Sequence, residues 1–149
     1  MYQRILVPLD DSELGRSSLA TAIGLAHSTN ARLTVLRVHS EPARLDLHGA
    51  REDLDAIEKE TAALVDTAVS EAGEATRAEQ VTATVRTGPV VQTILEVAEE
   101  LRSDVIVLGS HGREGLAEAF TGSTSERVMK SATCDVLVVK PKGFPYLRD

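Results

Sequence analysis

Three glycines and a Ser-Thr-Ser run could together hold a phosphate group. Gly109 ends an apolar run, Gly112 follows after two residues, and Gly122 comes after nine more. Hydroxyl side chains at residues 123–125 then open a predicted helix. Glycine lets the backbone turn with positive φ and approach a ligand, and the first amides of a helix carry the positive end of its dipole without internal partners. A strand end, a glycine loop and a helix start in this order therefore predict an anion site.

The helix dipole alone is too weak to hold a nucleotide. It supplies about 0.3–1 kcal/mol, and each hydrogen bond to a charged oxygen adds about 1.5–3 kcal/mol. Micromolar binding needs about 8 kcal/mol. Several amides, hydroxyls and a pocket for the base must therefore act together.

The same residues also admit a purely structural interpretation. Any one of the glycines is more simply a turn residue, and Ser123 with Glu126 forms a capping box in which each side chain satisfies a backbone N–H of the other. Capping and phosphate binding are compatible, because capping orders the turn whose amides would face the phosphate. The fixed spacing of the glycines, taken as a set, favours the phosphate.

The elements that would position this site follow from the spacing of the apolar residues. Continuous or alternating apolar runs predict strands, and helical spacing predicts helices. Strands are predicted at residues 5–7, 31–38, 81–85, 105–108 and 136–139. Of the four predicted helices, the first begins at residue 12, the second covers 51–74, the third begins at 88 and the fourth covers 123–131. Residues 39–50 are predicted to form a loop and residues 141–149 a tail. This alternation predicts one doubly wound α/β domain over residues 1–149, a parallel sheet with helices on both faces. The strictly alternating strand at 81–85 is expected at a sheet edge.

Ligands of such sheets bind at the carboxyl ends of the strands, where the winding direction reverses. The unusual strand ends are residues 8–12 and 109–112, which we expect to be neighbours. Asp10 could cap the following helix or receive ribose hydroxyls, as carboxylates do in dinucleotide folds; the glycine loop favours the ribose. Asp10, Ser110 and His111 form no triad or metal cluster at these strand ends, so no catalytic residue and no metal ligand is assigned.

Composition restricts the partners of the chain. It has 149 residues, 42% apolar and 26% charged, as in ordinary globular proteins. The formal net charge of -7 argues against sequence-independent nucleic-acid binding, which depends on basic surfaces. One cysteine, no signal-like N-terminus and no apolar run long enough for a bilayer predict a cytoplasmic protein with no membrane partner.

The last predicted strand indicates a second copy of the chain as a partner. It is formed by four consecutive apolar residues, Val136, Leu137, Val138 and Val139. No charge blunts what should be an exposed sheet edge, and pairing with the same strand of a second copy would cover it. The sequence therefore predicts a homodimer, with coverage of the edge by residues 141–149 as the alternative.

At these residues the chain resembles the universal stress protein family over essentially its whole length. The resemblance lies in residues 5–12, the strand at 35–38, the Gly-Pro pair at 88–89, the G-x2-G-x9-G-S spacing at 109–123, and residues 134–139. It implies a Rossmann-like sheet of the adenine nucleotide alpha hydrolase type, with strand order 3-2-1-4-5. It also implies a dimer through the last strands, and ATP, with or without Mg, as the ligand of members that keep the glycine motif.

By position, the resemblance assigns Asp10 to the ribose hydroxyls. The adenine side would be lined by Pro8, Val38 and Leu108, and the phosphates would be surrounded by Gly109, Gly112, Gly122, Ser123 and Thr124, with Ser125 near them. Two residues depart from the family pattern: Asp11 stands where a small residue is common, and Asp135 where proline is frequent. Asp11 adds negative charge near the pocket and could weaken nucleotide binding or help hold a divalent cation.

The leading hypothesis is an ATP-binding stress-response or signalling protein. The sequence has no glycine-rich loop ending in Gly-Lys-Ser/Thr, so the lysine and magnesium arrangement of a P-loop ATPase is missing and at most slow hydrolysis is expected. The alternative is a nucleotide-free dimeric interaction protein of the same fold. A third hypothesis, a small α/β enzyme acting on another phosphorylated ligand, would need a nucleophile or base at a strand end.

Overall fold

Five parallel strands form one sheet in the computed structural model, which describes residues 1–9, 13–40, 47–73, 80–110 and 124–140. The strands are β1 (Arg4–Leu9), β2 (Arg32–His39), β3 (Val81–Thr87), β4 (Val105–Gly109) and β5 (Asp135–Val139). The helices are α1 (Glu13–Thr29), α2 (Leu47–Ala72), α3 (Val90–Glu100) and α4 (Thr124–Ser131). Within these ranges, no helix is both long enough and apolar enough to cross a membrane.

The order of the strands is β3-β2-β1-β4-β5, which confirms the doubly wound fold and the predicted order. The chain winds outward from β1 through β2 to β3, then returns to β4 on the other side of β1 and continues to β5. β3 lies at an edge, as its alternating pattern predicts. β1 and β4 are neighbours, so the winding direction reverses between them.

Each face of the sheet carries its own apolar core, because side chains alternate along a strand. Ile5 and Val7 of β1 pack with Leu19 and Ile23 of α1 on the face that also holds α2. The opposite face is covered by α3 and α4, and its core consists of Leu6, Leu36, Ile94, Val97, Ala98, Ile106, Leu108 and Val128. The central strands are buried on both faces, which explains their unbroken apolar runs.

Two helix starts differ from the prediction. α2 begins at Leu47, inside the loop predicted for residues 39–50. The prediction treats Gly49 as part of that loop, but a glycine within a helix costs only about 1 kcal/mol relative to alanine, and a helix of 26 residues can accommodate it. α3 begins at Val90 rather than at residue 88, and Pro89 is its N-cap residue in an extended conformation.

Candidate functional site

The carboxyl ends of β1 and β4 part from each other. β1 pairs with β2 along its whole length, from Arg4 with Arg32 to Leu9 with Arg37. Its pairing with β4 consists of Ile5 with Val105 and Leu6 with Ile106 and goes no further among the described residues. Ligands of doubly wound sheets bind outside the carboxyl ends of the strands where the winding reverses, and we call the space between β1 and β4 beyond Leu6 and Ile106 the crevice.

Three of the predicted binding residues lie on one face of the sheet around this crevice. Leu108 belongs to the core under α3 and α4, and Val38 packs against that core. Pro8 follows Leu6 by two residues in β1, so its ring is on the same face. Pro8 and Val38 are half-buried, whereas Leu108 is buried. Strands β1, β2 and β4 thus each contribute one apolar side chain at their carboxyl ends.

Gly109 closes β4 and remains within the sheet. It is the register partner of Val139, the last residue of β5. The backbone N–H of the next residue, Ser110, donates to the Val139 carbonyl over 2.9 Å. β4 therefore stays paired with β5 up to Gly109, although its pairing with β1 ends at Ile106.

The first turn of α4 is tied to the end of β4. Ser125 is 3% exposed, and its hydroxyl donates to the Ser110 carbonyl over 3.4 Å. Thr124, the first residue of α4, is exposed. Glu126 and Lys130 form an ion pair one turn apart at 3.0 Å. The start of α4, where the positive end of the helix dipole lies, is thereby held beside the carboxyl end of β4.

Ser110 is a residue to which the sequence assigns no role. Its side chain is 1% exposed, and within the described part of the chain its Oγ has no hydrogen-bond partner. A buried hydroxyl without a partner costs about 1–3 kcal/mol. The signal in the sequence is its position directly after Gly109, where the predicted phosphate loop begins.

The remaining predicted site residues, Asp10, Gly112, Gly122 and Ser123, lie outside the described residues. Asp11, which departs from the family pattern, also lies outside them. Because Ser123 is the N-cap residue of the predicted capping box, that prediction falls partly outside the described residues as well.

Among the described residues, the groups with a shifted pKa lie at the other end of the sheet. Two backbone hydrogen bonds, from Gln3 and Arg4, lower the pKa of Asp104. Partial burial raises the pKa of the Cys134 thiol, and a hydrogen bond to Asp135 raises the pKa of Tyr2. Around the crevice, the described residues instead offer apolar surface, backbone amides and hydroxyls. This set of groups suits the binding of an anion attached to a flat apolar body.

Comparison with known proteins agrees with this architecture. Residues 1–140 match the model of the universal stress protein family. The chain is 30% identical over 151 residues to universal stress protein YxiE of Bacillus subtilis, covering 94% of this chain and all of that protein.

Solved structures give the same result. Universal stress protein UspA from Lactobacillus plantarum superposes with a TM-score of 0.71 at 25% identity, covering 93% of this chain and 97% of that one. A universal stress protein crystallised in complex with cAMP superposes with a TM-score of 0.68, also at 25% identity, covering 93% and 96%. The family match along residues 1–140 and the similarity to a full-length relative establish the same point: the chain belongs to the universal stress protein family.

Proposed function

We propose that this protein binds ATP in the crevice between β1 and β4 and acts as a nucleotide-dependent stress-response or signalling module in the cytoplasm. The observation that carries the proposal is the parting of β1 from β4 after Leu6 and Ile106, beside a helix start that Ser125 anchors to the end of β4. A relative of the same fold has been crystallised with cAMP, an adenine nucleotide, which supports adenine as the base.

The proposed arrangement divides the nucleotide among three groups of residues. The adenine packs against Pro8, Val38 and Leu108, the apolar side chains at three neighbouring strand ends. Asp10 receives the ribose hydroxyls. The phosphates, with or without Mg, lie among Gly109, Gly112, Gly122, Ser123, Thr124 and Ser125. The hydroxyl of Ser110 lies at the same strand end, where a phosphate oxygen or a bound water would satisfy it.

The proposal includes a homodimer formed through β5. Among the described strands, β5 is the edge strand beside β4, and Leu137 in it is 40% exposed. Met129 of α4 is 41% exposed. Antiparallel or parallel pairing of two β5 edges would cover both the apolar side chains and the backbone groups along that edge. Sedimentation of the chain and of Leu137→Lys tests this pairing: we expect a dimer and a monomer, respectively, and a monomeric parent chain contradicts it.

The test of nucleotide binding has two parts. Mass spectrometry of small molecules released from freshly purified, denatured protein identifies what it carries. Calorimetric titration with ATP and Mg then measures affinity, for which we expect a dissociation constant in the micromolar range, about -8 kcal/mol. Absence of both a released nucleotide and titration heat would leave the nucleotide-free interaction protein as the function.

Gly109→Val provides the site-specific arm of this test. A branched side chain at the end of β4 would occupy the space of a phosphate, so we expect at least about a tenfold weaker affinity, or 1.4 kcal/mol. Gly24→Ala is the matched control, because a Cβ at Gly24 in α1 meets nothing within 4 Å. This control should bind ATP as the parent chain does.

A further inference from the structure

Two arginines lie side by side at the amino edge of the sheet, opposite the nucleotide crevice. Arg4 begins β1 and Arg32 begins β2, and the two are register partners. Neighbouring strands are about 4.8 Å apart, so the two side chains leave the sheet close together. Both are exposed.

The two arginines share the face of the sheet that carries α3 and α4. Arg4 precedes Leu6 by two residues and Arg32 precedes Leu36 by four, and both leucines belong to the core under these helices. Because side chains alternate along a strand, the arginines extend from the same face. α3 ends at Glu100, and residues 101–104, which include Arg102 and Asp104, lead from it to the start of β4.

A cavity of about 360 Å³ opens at this place. Its polar lining comes from six residues, Arg4, Arg32, Thr34, Gln80, Thr82 and Ser103. The hydroxyls of Thr34 and Thr82 lie 3.5 Å apart on adjacent strands. The Gln80 amide nitrogen donates to Asn30 over 2.8 Å, which fixes that side chain at the rim. We call this cavity the arginine-pair cavity.

Among the described residues that line the cavity, two are arginines and none is a carboxylate. Arg4 has Asp104 within electrostatic reach, and the carboxylate of Asp104 already accepts the backbone N–H groups of Gln3 and Arg4, over 2.7 and 2.8 Å. Arg32 forms no ion pair with any described residue. On the same face, by contrast, Arg86 of β3 is matched by Glu100 at 3.2 Å.

We propose that the arginine-pair cavity binds the phosphate group of a small phosphomonoester. Like charges directly opposite each other on neighbouring strands destabilise a sheet, and a dianion between them turns the repulsion into two attractions. Guanidinium groups match phosphate oxygens with paired N–H donors. The volume is within the range of small-molecule sites, so hydroxyls of Thr34, Thr82 and Ser103 are available to a small polar body attached to the phosphate. The site is separate from the nucleotide crevice, since β1 spans roughly 17 Å between its ends.

The test uses the full chain labelled with 15N and observes the side-chain Nε–Hε signals of its arginines at low ionic strength. The probes are glycerol 2-phosphate and inorganic phosphate, with sodium chloride at equal ionic strength as a blank, all in the presence of saturating ATP so that the crevice does not compete. We expect the Arg4 and Arg32 signals to shift together and saturate, with the ester binding more tightly than inorganic phosphate.

Variants locate the effect. Arg32→Gln should weaken ester binding at least tenfold while leaving ATP affinity and the melting temperature in phosphate-free buffer unreduced. Arg86→Gln removes the same charge from the same face outside the cavity and should leave ester affinity within twofold. Shifts that grow linearly with ionic strength and match those in chloride would overturn the proposal, as would equal weakening by Arg32→Gln and Arg86→Gln. Binding of inorganic phosphate with exclusion of the ester would also contradict it.

Discussion

The two flanks of β1 differ although one strand forms both. Toward β2 the register continues to Leu9, whereas toward β4 it stops at Leu6. The β4 flank is nevertheless held firmly at its amino end, where Asp104 donates its backbone N–H to the Arg4 carbonyl over 2.8 Å and accepts two backbone N–H groups in return. The opening is thus confined to the carboxyl end. A doubly wound sheet can hold a ligand at its switch point because its core and its amino edge keep the same strands together.

The largest effect is expected from a substitution in the part of β1 that pairs with β4. Leu6 is fully buried and is the last residue of β1 in register with β4. Leu6→Ala removes three carbons from the core under α3 and α4, and we expect unfolding free energy to fall by about 2–5 kcal/mol in urea denaturation. Val90→Ala, at a residue 39% exposed at the start of α3, is the control and should cost less than about 1 kcal/mol. Equal losses of unfolding free energy in the two variants would mean that Leu6 does not stabilise the pairing of β1 with β4.

A glycine away from the crevice sharpens the contrast with Gly109. Gly88 has φ +148°, and a Cβ there would meet the Thr93 Oγ1 at 2.8 Å. Gly88→Ala should therefore destabilise the fold by about 1–3 kcal/mol without weakening ATP binding in the folded protein. Adding Thr93→Ala should recover part of the stability, because the colliding atom is then absent. If Gly88→Ala lowered ATP affinity and left stability unchanged, the structural role assigned to Gly88, in contrast to the binding role of Gly109, would be wrong.

The smallest effect is expected from removing the hydrogen bonds that Gln3 and Arg4 donate to the Asp104 carboxylate. These hydrogen bonds lower the native pKa of Asp104, so the stability they provide is present above the ordinary carboxyl pKa of about 3.9 and is lost as pH falls through the lowered native value. Asp104→Asn should cost about 1 kcal/mol at pH 7, since partial exposure weakens these bonds. Denaturation across acidic pH should show the variant and the parent chain converging. A difference in unfolding free energy that does not change with pH would contradict the role of the Asp104 carboxylate as an ionised hydrogen-bond acceptor.

The sequence predicts the strands and the neighbouring positions of β1 and β4, because these depend on local apolar patterns and on the handedness of crossovers. The full strand order is implied by the family resemblance. Patterns on one helix are less decisive. In and just after α3, helical spacing predicts a buried stripe of Val91, Ile94, Leu95, Ala98 and Leu101. Val91, Leu95 and Leu101 are only partly buried, whereas Val97 and Thr93, outside the stripe, are buried. Which side of a helix is covered depends on the elements opposite it.

The crevice itself could not be predicted in detail. Where the β1 and β4 ladder ends depends on how the twisted strands diverge under two helix layers, which no local pattern contains. The buried hydroxyl of Ser110 is likewise set by α4 packing over the end of β4. The apolar residues Pro8, Val38 and Leu108, in contrast, were predicted from the family resemblance, and the structure places them on one face of the sheet.

Backbone amide chemical shifts during titration of the 15N-labelled chain with ATP and Mg test the central claim most directly. We predict saturable shifts concentrated at Leu9, Gly109, Ser110, Thr124 and Ser125, with the amino-edge residues Arg4 and Arg32 unmoved. Shifts confined to other parts of the sheet, or none at all, would contradict the placement of a nucleotide between β1 and β4.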